Sequence, residues 1–174
     1  MKRSELKPMP DYFDRYINKT DDVALLEALE ISLQELQQVP LQKWKALGDN
    51  VYAEGKWTLK QLLQHTIDTE RVFAYRATAF ARKDPQRMIS FDEDLYANNA
   101  IVSHRKLEDV LEEAILLRKS TIALFKSFTE EMLQTIGKSF NSEYSVAAIG
   151  FVIAGHQRWH FNVLEERYYP LLEK

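Results

Sequence analysis

The sequence contains no cysteine in its 174 residues. This absence excludes a disulfide framework, a thiolate nucleophile and a thiolate metal site. Any transition metal bound by the chain must therefore be held by histidine, carboxylate, carbonyl oxygen or water. The chain has only four histidines, so the candidates for nitrogen ligands are few.

The sequence also lacks an excess of basic residues and a long apolar run. Its 23 lysines and arginines are outnumbered by 26 acidic residues, and the net charge is −3. A nucleic-acid-binding face needs clustered positive charge, so we expect no nucleic-acid partner. The longest apolar run, around residues 146–154, is too short to cross a membrane, and the N-terminus shows no secretory signal pattern. We therefore expect a cytoplasmic protein without a membrane partner.

Glycine and proline are scarce, with five of each, so few points in the chain force a helix to end. Between these points, apolar residues recur at helical spacing in four segments, at residues 26–36, 59–80, 107–128 and 149–163. A hydrophobic content of 45% is enough for one sizeable core. There is no convincing strand alternation and no internal repeat. These patterns predict an all-α fold, a four-helix bundle.

Capping residues and helix breakers predict where the four helices begin. The candidate caps are, in chain order, Asp21 or Asp22, Thr58 with Gln61 in a capping box, Ser103 and Ser145. Residues 1–18 contain two prolines and are predicted to form an irregular N-terminal arm. Residues 19–174 are predicted to form a single domain.

A long connection, residues 85–102, separates the second and third predicted helices. It is predicted to contain one turn of helix at residues 92–98. A connection of this length often contributes to a functional site, and it would allow a crossover rather than a simple up-down order. Its three acidic residues would either be solvated or approach an open site; they are Asp92, Glu93 and Asp94.

Two of the four histidines lie in the apolar stretch FVIAGHQRWHFNVLEERYY. His156 and His160 are four residues apart, so in a helix their side chains share one face. Such a pair offers two imidazole nitrogens to one metal ion, and a third ligand must come from elsewhere. The alternative is a pair of core histidines, each with its own hydrogen-bond partner or with a pKa lowered by desolvation.

The candidate third ligand is His65, which lies beside the apolar stripe of the second predicted helix. In a bundle, side chains from facing helices converge to build metal sites. Three histidines that leave coordination positions open are typical of a reactive metal site. His104, next to Ser103, is predicted to be a solvated residue at a helix start. Asp68 and Glu70 are predicted to be surface carboxylates, with the orientation of a histidine as the alternative.

Three pieces of the chain together resemble the DinB-like superfamily, which includes YfiT-type metal-dependent hydrolases. They are KWTLKQLLQHTIDTE, FDEDLYA and IAGHQRWHFNVLEERY, in the family's order, and the resemblance spans roughly residues 21–169. It implies a four-helix bundle whose metal ligands are His65, His156 and His160, with zinc or nickel as the divalent ion. Many relatives have GHxxHH where this chain has GHQRWH, so Trp159 stands in place of a further histidine.

The resemblance also implies function and assembly. Some relatives transfer low-molecular-weight thiols such as bacillithiol or mycothiol to electrophilic substrates, and homodimers are common among them. Our leading hypothesis is a metal-dependent hydrolase or thiol S-transferase that acts on a small molecule, with a metal-activated water or thiolate as the nucleophile. The alternatives are a non-catalytic metal- or small-molecule-binding module and a helical interaction protein whose histidines are satisfied internally.

Overall fold

A computed structural model of the chain describes residues 1–173, most of which are helical. The helices are α1 Asp14–Ile17, α2 Leu25–Gln37, α3 Leu41–Leu47, α4 Leu59–Ala81, α5 Glu93–Asn99, α6 Leu107–Lys126, α7 Glu130–Gln134 and α8 Val146–Val163. Two short strands, β1 Ile136–Ser139 and β2 Ser142–Ser145, form a hairpin. Helix α8 continues as a π-helical turn, Leu164–Tyr168, and a 3-10 turn, Tyr169–Glu173. No helix among the described residues is both long and apolar enough to span a membrane.

The four long helices, α2, α4, α6 and α8, form a four-helix bundle, which confirms the predicted fold class. Helix α8 packs against α2 and α4, and α6 packs against the same two helices from the other side. Around the bundle the order is therefore α2, α6, α4, α8. Helices α2 and α4, although consecutive among the long helices, lie diagonally across the core.

Helices α4 and α6 are parallel neighbours, and this direction explains the length of the segment between them. Gln64, early in α4, contacts Arg105, which lies just before α6, whereas Arg71, about two turns further along α4, contacts Glu113 within α6. Parallel neighbours cannot be joined by a short turn, so residues 82–106 return along the bundle. The crossover that the long connection allowed is present, and α5 with its N-cap Asp92 lies within it.

Helix α8 is the central element of the core. Every residue from Val146 to Gln157 is buried, as expected for a helix that is apolar on all faces. Gly155 allows the backbone of α1 to approach closely: a β-carbon there would lie 1.9 Å from the carbonyl oxygen of Tyr16. The segment predicted as an irregular arm thus contributes α1 and the fully buried Ile17 to the core. That residues 19–174 form one domain stays a prediction.

Two of the predicted caps are confirmed and two are wrong. Thr58 and Gln61 form the capping box of α4, and Ser145 caps α8. Helix α2 begins instead after Ala24 and α6 after Lys106, both without a side-chain cap. The predicted caps lie too early in the chain: Asp22 accepts a hydrogen bond from the backbone of Ser4, Asp21 is paired with Arg158, and Ser103 lies in a turn before the helix.

The β1–β2 hairpin was not predicted from the sequence. Its strands, IGKS and SEYS, have no apolar alternation that would indicate pairing. Tertiary contacts hold it in place, since Met88 from the crossover bonds through its backbone to Lys138 and Phe140. Phe140 in the turn has a positive φ of 47°, which is uncommon for a residue with a bulky side chain.

Gly155→Ala is expected to lower the free energy of unfolding by about 3 kcal/mol or more, because the new methyl group meets backbone that cannot rotate away. Gly150→Ala is the matched control in the same helix. Its methyl group would meet the end of Leu25 and the Phe125 ring, which can move, so we expect a loss of about 1 kcal/mol or less. Denaturant unfolding measures both; equal losses would contradict the close approach of α1.

Candidate metal centre

The structure brings the three predicted histidines to one point between α4 and α8. His65 lies in the second turn of α4, and His156 and His160 lie near the end of α8, which runs antiparallel to α4. The Nε2 atom of His156 is 3.3 Å from that of His65 and 3.1 Å from that of His160. One ring nitrogen from each histidine lies within 4.8 Å of the other two.

These separations fit a shared metal ion with nitrogen ligands. Two nitrogens bound at 2.0–2.1 Å to one tetrahedral zinc ion lie about 3.3 Å apart, which agrees with the two short distances from His156. Neutral imidazole is a good ligand for zinc, nickel and related divalent ions. The three nitrogen donors therefore suit such an ion. Metal binding by these three residues stays a prediction.

Burial keeps the three rings neutral. Desolvation lowers the pKa of His65 to about 4, against a raising effect of Asp94, and lowers the pKa of His160 to about 3, assisted by repulsion from His65. The pKa of His156 lies well below its usual value of 6.5, first through desolvation and then through repulsion from the other two rings. Each histidine can thus present an unprotonated nitrogen near pH 7.

Aromatic neighbours fix the orientation of two of the rings. Trp57, just before α4, lies against His65 with ring centroids 4.7 Å apart. Tyr16 of α1 meets His156 edge to face at 5.1 Å, and burial raises the pKa of its hydroxyl to about 12. Trp159 packs against the same Tyr16 ring, with ring centroids 5.5 Å apart.

Cavities reach the triad from two sides. A cavity of about 280 Å³ has His160, Tyr52, Trp57 and Asp94 in its wall. A second cavity, of about 370 Å³, reaches His156 between α1, α4, the crossover and the hairpin, and six of its lining residues are phenylalanine or tyrosine. Both volumes lie near or within the range of small-molecule sites. A ligand could therefore approach the three nitrogens without unfolding the bundle.

The acidic residues of the crossover have three different positions. Asp92 caps α5, where its carboxylate accepts a hydrogen bond from the backbone of Leu95. Glu93 lies in the wall of the cavity that reaches His156, and Asp94 in the wall of the cavity that reaches His160. Helix α5 thus places two carboxylates beside the triad, as one of the two sequence interpretations allowed.

Glu70 is not the surface carboxylate that was predicted. It is only 5% exposed and makes a two-point ion pair with Arg118 of α6, with both N–O distances at 3.0 Å. Arg118 also donates to Ser32 of α2, so the pair links three helices close behind His156. Asp68 is partly exposed and accepts from Gln64. His104 is exposed, as predicted.

Sequence reasoning missed three residues around the site, which are Tyr16, Trp57 and Arg76. Tyr16 falls in the predicted irregular arm, and Trp57 precedes the capping box by one residue. Arg76 lies in a stretch of the chain that also carries Arg71 and Arg82, and such a basic stretch is typical of a solvated helix face, yet Arg76 is only 5% exposed. The only sequence signal that Arg76 could belong to the site was its spacing from His65. It lies eleven residues after His65, which places both residues on the same side of α4.

Comparison with known proteins identifies a family and a fold. A family profile described as the DinB superfamily matches residues 19–164. A solved structure described as "YfiT from Bacillus subtilis is a probable metal-dependent hydrolase with an unusual four-helix bundle topology" superposes with a TM-score of 0.64, covering 91% of this chain and 87% of that chain at 16% identity. No curated protein matches. At that identity, the structural likeness shows the fold alone.

Glu70→Ala is expected to lower the free energy of unfolding by about 3–5 kcal/mol, because it leaves the charge of Arg118 buried without a partner. The double change Glu70→Leu with Arg118→Met should restore much of this loss, since it removes both charges. Glu113→Ala, which disrupts more exposed pairs with Arg71 and Arg105, is the control and should cost about 1 kcal/mol or less. Similar losses for Glu70→Ala and Glu113→Ala in urea would contradict the buried pair.

Proposed function

The chain belongs to the DinB superfamily, and we propose that it is a metal-dependent enzyme that binds zinc or nickel through His65, His156 and His160. The observation that carries this proposal is the convergence of three imidazole nitrogens, two from buried histidines and one from a partly buried histidine, at spacings that suit one ion. The fold is that of YfiT, itself described as a probable metal-dependent hydrolase.

The protein's own residues would prepare the site for catalysis in two ways. Trp57 and Tyr16 pack against two of the imidazole rings and limit the access of solvent to them. The apolar surroundings keep the ligands free of protons near neutral pH. When bound, a divalent ion supplies Lewis acidity, which lowers the pKa of a coordinated water or thiol.

Asp94 is the proposed proton acceptor. It lies in the wall of the same cavity as His160, and its negative charge raises the pKa of His65. A carboxylate placed beside an activated water or thiol can take its proton and later return it to a leaving group. Asp94 is exposed, so it can exchange that proton with solvent.

Two reactions are compatible with this arrangement, hydrolysis of a small molecule and transfer of a low-molecular-weight thiol to an electrophile. Neither needs a protein cysteine, and the chain has none. Both need a cavity that admits the substrate to the triad. Homodimerisation and a cytoplasmic location, expected from the sequence, stay predictions.

Metal content tests the site directly. Protein purified without a histidine tag and reconstituted with zinc or nickel is expected to retain about one ion per chain after desalting, as measured by mass spectrometry of the metals. His160→Ala should lose most of it, because two imidazoles make a poor site. His104→Ala is the matched control and should keep it, since His104 is exposed and lies outside the triad. Retention by His160→Ala, or no metal in the wild type, would overturn the proposal.

Asp94→Asn tests the proton acceptor and the reaction together. Hydrolysis of activated esters and transfer of low-molecular-weight thiols to an aryl halide should be assayed with the metal-loaded and the metal-free protein. We expect one of the two activities to require metal and to fall about 100-fold in Asp94→Asn, while Asp109→Asn, an exposed acid at the start of α6, leaves it unchanged. Metal-bound protein inactive in both screens would favour a non-catalytic binding module, and activity that survives metal removal would exclude the mechanism.

A further inference from the structure

The protein has two buried arginines, and only one of them has a carboxylate partner. Arg118, 2% exposed, is paired with Glu70. Arg76, 5% exposed, has no carboxylate oxygen within 4.0 Å of its guanidinium among residues 1–173. A buried charge without a counter-ion is costly, so native proteins seldom keep one unless it serves another purpose.

The contacts of Arg76 leave part of its donor set free. One terminal nitrogen donates to the carbonyl oxygen of Ile89 at 2.9 Å, and the other makes a long contact of 3.4 Å with the Tyr144 hydroxyl. The guanidinium carbon also lies 5.3 Å from the centre of the Phe73 ring. A guanidinium carries five N–H donors, and a planar pair of them matches a carboxylate. These neighbours hold Arg76 in place without neutralising it.

Arg76 and His156 line the same cavity, the one of about 370 Å³. On α4, Thr69 lies in that wall together with His156, and Arg76 follows seven residues later, which is about 10 Å along the helix axis. The same wall includes aromatic side chains, among them Phe13, Phe73 and Phe91, and three serines. The one acid in this wall, Glu93, is exposed rather than buried.

We propose that Arg76 is the binding residue for a carboxylate on the substrate, and that the cavity selects small molecules with an anionic end at Arg76 and an apolar body that extends toward His156. This inference rests on the proposed function, since it assigns the reacting group to the His65–His156–His160 site. The anionic end would supply the missing partner of Arg76. The aromatic walls would bury the body of the ligand and exclude water from it.

The test compares an acid with its neutral isostere. The probes are 3-phenylpropionate and 3-phenylpropionamide, and binding is measured by calorimetry to metal-free protein so that a metal ion cannot bind the carboxylate. Wild type should bind the acid about 10-fold to 100-fold more tightly than the amide, the range expected for a hydrogen-bonded charge pair. Equal affinity of the two probes for wild type would overturn the proposal, whatever the variants do.

Three variants locate the effect. Arg76→Gln should reduce the preference for the acid to about 1-fold, and Arg76→Lys should keep part of it, because lysine retains the charge but not the paired donors. Arg87→Gln is the matched control: Arg87 is exposed and donates to the Phe140 carbonyl in the same region without lining the cavity. An unchanged preference in folded Arg76→Gln, as judged by circular dichroism and cooperative melting, would overturn the assignment.

His160→Ala separates this inference from the proposed function. It removes a predicted metal ligand, but Arg76 does not depend on that residue, so the preference for the acid should persist in this variant. A chain that binds no metal but prefers the acid through Arg76 would overturn the enzyme proposal and leave the anion site intact. A chain that binds metal through the triad but shows no preference for the acid would overturn the anion site and leave the metal-site proposal intact.

Discussion

The burial of α8 on every side is the constraint on which the rest of the structure depends. From Val146 to Gln157 the helix has no solvent-facing residue, so each of its faces must be covered by another element. Helices α2 and α4 cover two faces, and α1 covers a third, where Gly155 permits contact between backbones. Helix α7 and strand β2 of the hairpin also pack against α8. A larger or smaller side chain packed against any of these faces would create a steric clash or a cavity.

The functional site occupies the end of this buried helix, where burial becomes incomplete. His156 is buried and His160 only partly so, and beyond them α8 changes to a π-helical turn. Placing imidazoles at this boundary has a physical consequence, because desolvation makes their protonated forms unfavourable and leaves one nitrogen of each ring without a proton. Hydrogen bonds among the three rings alone cannot give every one of these nitrogens a partner, whereas one divalent ion would coordinate all three.

The parallel arrangement of α4 and α6 connects the fold to the site. It requires the crossover to return along the bundle, and on that path α5 passes the open side of the triad and brings Glu93 and Asp94 to the two cavities. The same return path places the carbonyl of Ile89 on Arg76. A simple up-down bundle would have a short turn at this position and no element to line these cavities. The crossover is long because α4 and α6 run in the same direction, and this length was visible in the sequence. The same segment supplies residues that line the two cavities of the site.

Helical periodicity, the capping box at Thr58 and the i, i+4 pair of His156 and His160 were enough to predict the class of fold, two of the helix starts and, with the family resemblance, the three candidate ligands. These features are local, because the hydrogen bonds of a helix and its cap join residues a few positions apart. Local patterns could not predict the hairpin, the burial of Glu70 or the role of α1. Each of these depends on contacts with residues that are distant along the chain. Arg76 is the clearest case: its sequence neighbours indicate a solvated face, and only the packing of α1, the crossover and the hairpin around α4 encloses its charge. Sequence alone determined which side chains share a helix face. Tertiary structure decided which of those faces is buried away from water, because desolvation is set by neighbours distant along the chain.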